Sequence, residues 1–209
     1  MLFESGQTIV FIGDSITDAG RRAEASPYGR GYVGLVRAIL LGAYPDRRLT
    51  IVNRGFAGDT VRHLAARWDE DAIGLKPDWL SVKIGINDVW RAFGDNAHEA
   101  VPLPEYRATL RTLLMRARAE SGCRLIVMEP YLIEPDRADP MRARMDEYGL
   151  AAREIAAELD AVNVRTQEAF DSALNSSEPA AWADDRVHPN IEGHAVIALA
   201  FLRAVGFEL

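Results

Sequence analysis

Apolar residues run without a break from Ile9 to Ile12. A strand buried on both faces reads this way, and parallel sheets covered by helices make such strands. The run ends in Gly13-Asp14-Ser15, so the chain turns where a hydroxyl appears. Further apolar runs predict strands at residues 49–53, 79–86, 125–128 and 161–164, with Lys83 interrupting the third. Between the strands the apolar period lengthens. Val33, Val36, Leu40 and Tyr44 predict a helix over 31–44, and Asp59 or Thr60 is a candidate N-cap for a helix through Trp68. Tyr106, Leu110, Leu113, Leu114 and Ala117 mark a helix over 105–120, stopped by Gly122. Helices follow at 141–159 and 166–174. A last one places Ile191, Ala195, Ala198, Leu202 and Val205 on one stripe, with Pro189 in its first turn. Residues 18–30 read as a loop over the sheet edge. Residues 131–140, rich in proline and charge, read as an active-site loop or subunit contact rather than core.

Strand and helix alternate from end to end, with no linker, repeat or low-complexity block. That order predicts one domain over 1–209, of α/β class, with a five-stranded parallel sheet between two helical layers. The size of 209 residues and the 48% apolar content allow a substantial core. A net charge of −7 argues against a nucleic-acid partner, which would need a basic patch. Cys123 is the only cysteine, so no intrachain disulfide can form, and its apolar setting makes it a buried small residue. No basic segment with a long apolar stretch opens the chain, and no apolar run approaches a membrane span, so a soluble cytoplasmic protein is expected.

In a parallel sheet the carboxyl ends of the strands share one rim, and ligands bind there. Ser15, Gly58 and Asn87 follow three different strands, and the last loop adds Asp185 and His188. A serine hydroxyl needs a base to become a nucleophile, and a histidine base needs a carboxylate to fix its tautomer. Asp185 stands three residues before His188, within reach through a tight turn; Asp184 is the competing carboxylate. The Ser15 and Gly58 backbone N–H groups and the Asn87 amide are candidate donors for an oxyanion. Each signal has an ordinary reading beside it: Ser15 as a turn serine, Gly58 as a turn glycine, Asn87 as a cap. His63, His98 and His194 lack this context and read as structural or solvated. No spacing of His, Cys, Asp and Glu suggests a metal, and no cofactor is implied.

Together the blocks Gly13-Asp14-Ser15-Ile16, Asn53 through Gly58, Gly85-Ile86-Asn87-Asp88 and Asp185-Arg186-Val187-His188-Pro189 resemble the SGNH hydrolases, also called the GDSL esterase/lipase family. The blocks stand in that family's order and span the chain. The resemblance implies a flavodoxin-like three-layer sandwich. It also implies Ser15 as nucleophile, Gly58 and Asn87 as oxyanion donors, and His188 as base oriented by Asp185. Ala66-Arg67-Trp68 and the stretches 85–90, 139–149 and 186–189 look particularly like the intracellular acetyl-xylooligosaccharide esterases. That likeness implies deacetylation of sugar esters by a homo-oligomer. The α/β-hydrolase elbow Gly-x-Ser-x-Gly does not fit, because Thr17 stands where its second glycine belongs.

Trp90, Tyr131 and Trp182 fall in predicted rim loops and are candidates to stack on a sugar ring; core or interface packing is the competing reading of each. Asp14, beside the nucleophile, joins them as a candidate substrate contact. Glu129 either points into the same crevice or pairs with an arginine. No continuous apolar loop offers a groove for a long acyl chain, so an acetyl ester is the expected substrate. A short-chain thioesterase or lysophospholipase, and a carbohydrate-binding module without catalysis, are the alternatives.

Overall fold

The computed structural model describes residues 1–23 and 26–208. Five strands form one all-parallel sheet: β1 (Thr8–Gly13), β2 (Thr50–Gly55), β3 (Trp79–Lys83), β4 (Arg124–Met128) and β5 (Val162–Val164), in the order β2-β1-β3-β4-β5. This is the flavodoxin-like winding. The chain lays β2 on one side of β1 and then crosses to the other side for β3. The strand order therefore reverses between β1 and β3, and the carboxyl ends of these two strands open the crevice where such folds bind ligands.

Helices α2 (Tyr32–Ala43), α8 (Thr166–Leu174) and α9 (Ile191–Ala204) pack together on one face. On the other lie α3 (Val61–Ala66), α6 (Leu103–Ser121) and α7 (Pro140–Glu158). The arrangement is the three-layer α/β/α sandwich. The unbroken apolar run of β1 has its cause here: Ile9 to Ile12 are fully buried under both layers. Phe11 packs against Tyr32 of α2 and Phe201 of α9, and Phe3 against Trp79 and Phe201. The apolar face read for α6, Tyr106 to Ala117, is buried throughout, and Gly122 ends that helix at φ 73°.

Four local expectations are corrected. The third strand stops at Lys83, and Ile86–Trp90 forms a short helix, α5, so Asn87 lies on a helix's first turn and not on a strand end. Residues 131–133 are fully buried rather than part of an open loop: Gln167 accepts the Leu132 N–H and donates to its carbonyl. The stripe of α9 is rotated. Ile191 is exposed, whereas His194, Ile197, Ala198, Phe201 and Leu202 face inward. Pro189 precedes the helix, whose cap is Asn190, accepting from the Gly193 N–H. Of the predicted loop 18–30, residues 24 and 25 lie outside the described residues.

The inward turn of His194 has a thermodynamic consequence. Its Nδ1 accepts the Tyr32 N–H, so the buried ring sits neutral beside α2. Burial first, then the charge of Lys83, lower its pKa from 6.5 to about 4. Between those values the unfolded chain binds a proton that the folded one refuses. The contribution is fully present above pH 6.5 and is lost as the pH falls to 4, amounting to roughly 3 kcal/mol. Buried Asp88, raised to about 7 mainly by desolvation, acts in the opposite sense over much of this range, so the comparison must be with a variant. His194→Gln keeps an acceptor for Tyr32 and removes the titration. Its stability in urea should fall less than the parent's between pH 7 and pH 4.5; parallel profiles would contradict this account.

Candidate active site

The crevice is built from turns that follow neighbouring strands. Gly13 pairs with Gly55 on one side and with Lys83 on the other, so the three turns leave the sheet at one level. Ser15 begins a single-turn helix, α1 (Ser15–Asp18), whose N-cap is Asp14: one carboxylate oxygen accepts the Ile16 N–H at 2.9 Å. Gly13 and Gly55 are required by close approach. A Cβ on Gly13 would lie 2.2 Å from the Lys83 carbonyl oxygen, and one on Gly55 2.1 Å from the Asp18 nitrogen. The second turn is tied down by Asn53, whose amide donates to the Thr17 and Tyr28 carbonyls. Arg67 reaches across both turns, donating to the Gly13 and Arg54 carbonyls and to Asp59.

From the far end of the chain, the loop before α9 brings up His188. Ser15 Oγ lies 3.0 Å from His188 Nε2, and His188 Nδ1 lies 2.6 Å from Asp185 Oδ2. The other Asp185 oxygen accepts the Val187 and His188 N–H groups, at 2.9 and 2.7 Å. One carboxylate thus closes its own turn and holds the imidazole. Arg186, within that turn, adopts φ 66°, and its guanidinium is held by Glu134 and Asp139. Partial burial works to raise the Asp185 pKa, but the hydrogen bonds from His188 and Val187 outweigh it and leave the carboxyl below its ordinary value. Asp184 is exposed and takes no part in this bonding.

Gly58 adopts φ 85°, a conformation that favours glycine. Arg91, just past α5, donates to the Gly58 carbonyl at 2.5 Å, while the Asn87 amide donates to the Asp59 carbonyl at 2.9 Å. These two bonds lock the turn after β2 to the turn after β3. Arg67, bonded to the Gly13 carbonyl and to Asp59, ties the Ser15 turn to these two. Trp90, 36% exposed, sets its ring edge-on to His188 with centroids 5.5 Å apart. A cleft of about 290 Å³ opens beside it, lined by Asn87, Trp90, Arg91, Gly94, Asp95 and Asn96.

Other predicted contacts are not at the crevice. Tyr131 is fully buried and packs on Phe170, and Asp14 is fully buried beneath Ser15, so neither is placed to touch a sugar. Trp182 is half-buried; its indole N–H donates to Ser177 and its carbonyl accepts from Asn190, which makes it a brace of the His188 loop. Glu129 pairs with Arg153 through two hydrogen bonds. It faces a separate hollow of about 640 Å³ between α7 and α8. Among the described residues no cluster of three His, Cys, Asp or Glu side chains is placed to hold a metal ion, and no helix is long and apolar enough to cross a membrane. Nothing in the sequence singles out Arg91; the one signal at Lys83 is that it interrupts an otherwise apolar strand.

A hydroxyl, an imidazole and a carboxylate in line, on the rim of this particular sheet, define a class: the chain belongs to the GDSL-like lipase/acylhydrolase family, whose model matches residues 11–196. Within it the chain is 47% identical to an acetylxylan esterase from Geobacillus stearothermophilus, over 100% of this chain and 98% of the relative. The crystal structure of an acetylxylan esterase from that organism superposes with a TM-score of 0.96 at 46% identity, covering 100% of this chain and 98% of that one. An α/β hydrolase enzyme from the metagenome of Lake Arreo, Spain, matches with a TM-score of 0.94 at 46% identity, over 99% and 98% of the two chains.

Proposed function

We propose that the protein is a serine esterase that removes acetyl groups from acetylated xylo-oligosaccharides, with Ser15, His188 and Asp185 as its triad. The observation that carries this reading is the continuous contact from Ser15 Oγ through His188 to Asp185, at 3.0 and 2.6 Å. His188 Nε2 takes the Ser15 proton as Oγ attacks the ester carbonyl, and Asp185 stabilises the imidazolium that forms. The oxyanion is received by the Ser15 and Gly58 N–H groups and by the amide of Asn87; one of its two amide hydrogens is already spent on Asp59. His188 then returns the proton to the departing sugar oxygen, leaving an acetyl-enzyme. Water, deprotonated by the same imidazole, releases acetate.

The choice of a short acyl group on a sugar follows from the surroundings. Trp90 offers an aromatic face beside His188. Arg91, Asp95 and Asn96 line the cleft next to Asn87 and offer polar groups to sugar hydroxyls. The relatives from Geobacillus stearothermophilus are acetylxylan esterases, which favours the same substrate class. We read residues 1–209 as one catalytic domain, working as a homo-oligomer in the cytoplasm.

Mass spectrometry of acetylated xylo-oligosaccharides tests the substrate directly. Incubation should strip acetyl groups while leaving the oligosaccharide chain length unchanged. Acyl-CoA and lysophospholipid, offered in competition, should survive. Preferred turnover of either competitor would replace the sugar ester with a thioester or lipid reading.

A further inference from the structure

Beneath Ser15 lies a charge that the proposed reaction does not use. Lys83, the last residue of β3, is fully buried. Its Nζ stands 4.0 Å from Asp14 Oδ2, also fully buried, and 4.6 Å from the centre of the Tyr131 ring. Among the described residues neither Nζ nor that oxygen has a hydrogen bond. A strand end is a costly place for an ammonium, and a hydrophobic side chain would fill the same space more cheaply in free energy. Burial pulls the Lys83 pKa down, and the Asp14 charge works against that pull.

What the lysine touches gives it a reason to be there. Asp14 is the cap of the one-turn helix that begins at Ser15. One of its oxygens faces Lys83 and the other accepts the Ile16 N–H. The Lys83 carbonyl meanwhile lies directly against Gly13. On its other side the ammonium supports the Tyr131 ring. Two residues further on, the Ile133 N–H donates to the Arg186 carbonyl at 2.9 Å, inside the turn that carries Asp185 and His188. The nucleophile's turn and the floor of the base's loop therefore meet on a single buried cation.

We propose that Lys83 is a positioning residue: by pairing with Asp14 beneath Ser15 and supporting Tyr131, it fixes the distance between Ser15 Oγ and His188. The inference rests on the reading of Ser15 and His188 as nucleophile and base. The test compares the parent with Lys83→Met, Asp14→Asn and the double variant. It measures kcat and KM on p-nitrophenyl acetate and the rate at which a fluorophosphonate labels Ser15. Lys83→Met leaves a buried carboxylate unpaired, and a misplacement of about 1 Å at such a centre costs on the order of 10²-fold. Both kcat and the labelling rate should fall together by roughly 10- to 100-fold, with KM within about twofold of the parent. The double variant leaves no unpaired charge and keeps a good cap, since Asn serves as well as Asp there, so it should recover most of the lost rate. A folded Lys83→Met protein with parental kcat and labelling would overturn the proposal. So would a double variant as slow as either single. Should Lys83→Met fail to fold, Asp14→Asn, which strands the ammonium instead, carries the same expectation of loss and of recovery in the double. A parent whose Ser15 resists the probe would instead remove the reading of the nucleophile, and this inference with it.

Discussion

Ser15→Ala should abolish hydrolysis of p-nitrophenyl acetate and of acetylated xylo-oligosaccharides while leaving the protein folded. Removing the nucleophile of a serine triad costs about 10⁶-fold in kcat. Little structural cost attaches to the change. The hydroxyl's hydrogen bond is to His188, and the short helix that starts here is capped by Asp14 rather than by Ser15. The thermal midpoint should therefore stay close to the parent's, and fluorophosphonate should no longer label the chain. Turnover within 10²-fold of the parent, about four orders of magnitude above this expectation, would remove Ser15 from the mechanism.

Asp185→Asn should also be severely damaging, though less so than loss of the serine, by a route that the hydrogen bonds dictate. Asp185 Oδ1 accepts two backbone N–H groups, from Val187 and His188. An asparagine there must keep its oxygen on those two donors. Its NH₂ is then aimed at His188 Nδ1, where Oδ2 stands in the parent at 2.6 Å. Faced with a donor, Nδ1 gives up its proton, and the proton moves to Nε2, facing Ser15. That tautomer has no lone pair with which to take the serine proton, and the loss in kcat should be about 10⁴-fold. Because the turn keeps both backbone bonds, the variant should be well folded, and KM should change far less than kcat. A loss below about tenfold would mean that the carboxylate does not set the tautomer.

Much of this architecture could be read from the chain because the informative residues answer to local rules. The run from Ile9 to Ile12 is apolar since both faces of β1 are covered, and the helix predicted over residues 166–174 coincides with Thr166–Leu174. The contact between Ser15 and His188, 173 positions apart, was predictable only through the strand-end rule and the resemblance of four blocks. Where the reading failed, tertiary packing had overridden a local pattern. Val82, Ile84 and Ile86 alternate like a strand, yet the chain breaks at Gly85, φ 133°, and winds into α5. Tyr131 looked like a rim aromatic between prolines, but α8 covers it with Phe170. Asp14 reads as a substrate contact and Lys83 as an interruption of the third strand, yet both are fully buried, with Nζ 4.0 Å from Oδ2.

Asp185 and His188, which we propose as the orienting carboxylate and the base, arrive on one turn, whereas many triads gather these groups from separate strands. The pair consequently travels as a rigid body. If the segment ahead of α9 swings outward, the imidazole retreats from Ser15 with its orientation intact, and activity is lost through a single coordinate. A sequence change that shifts how α9 seats on α2 should scale turnover up or down without altering the order of chemical events.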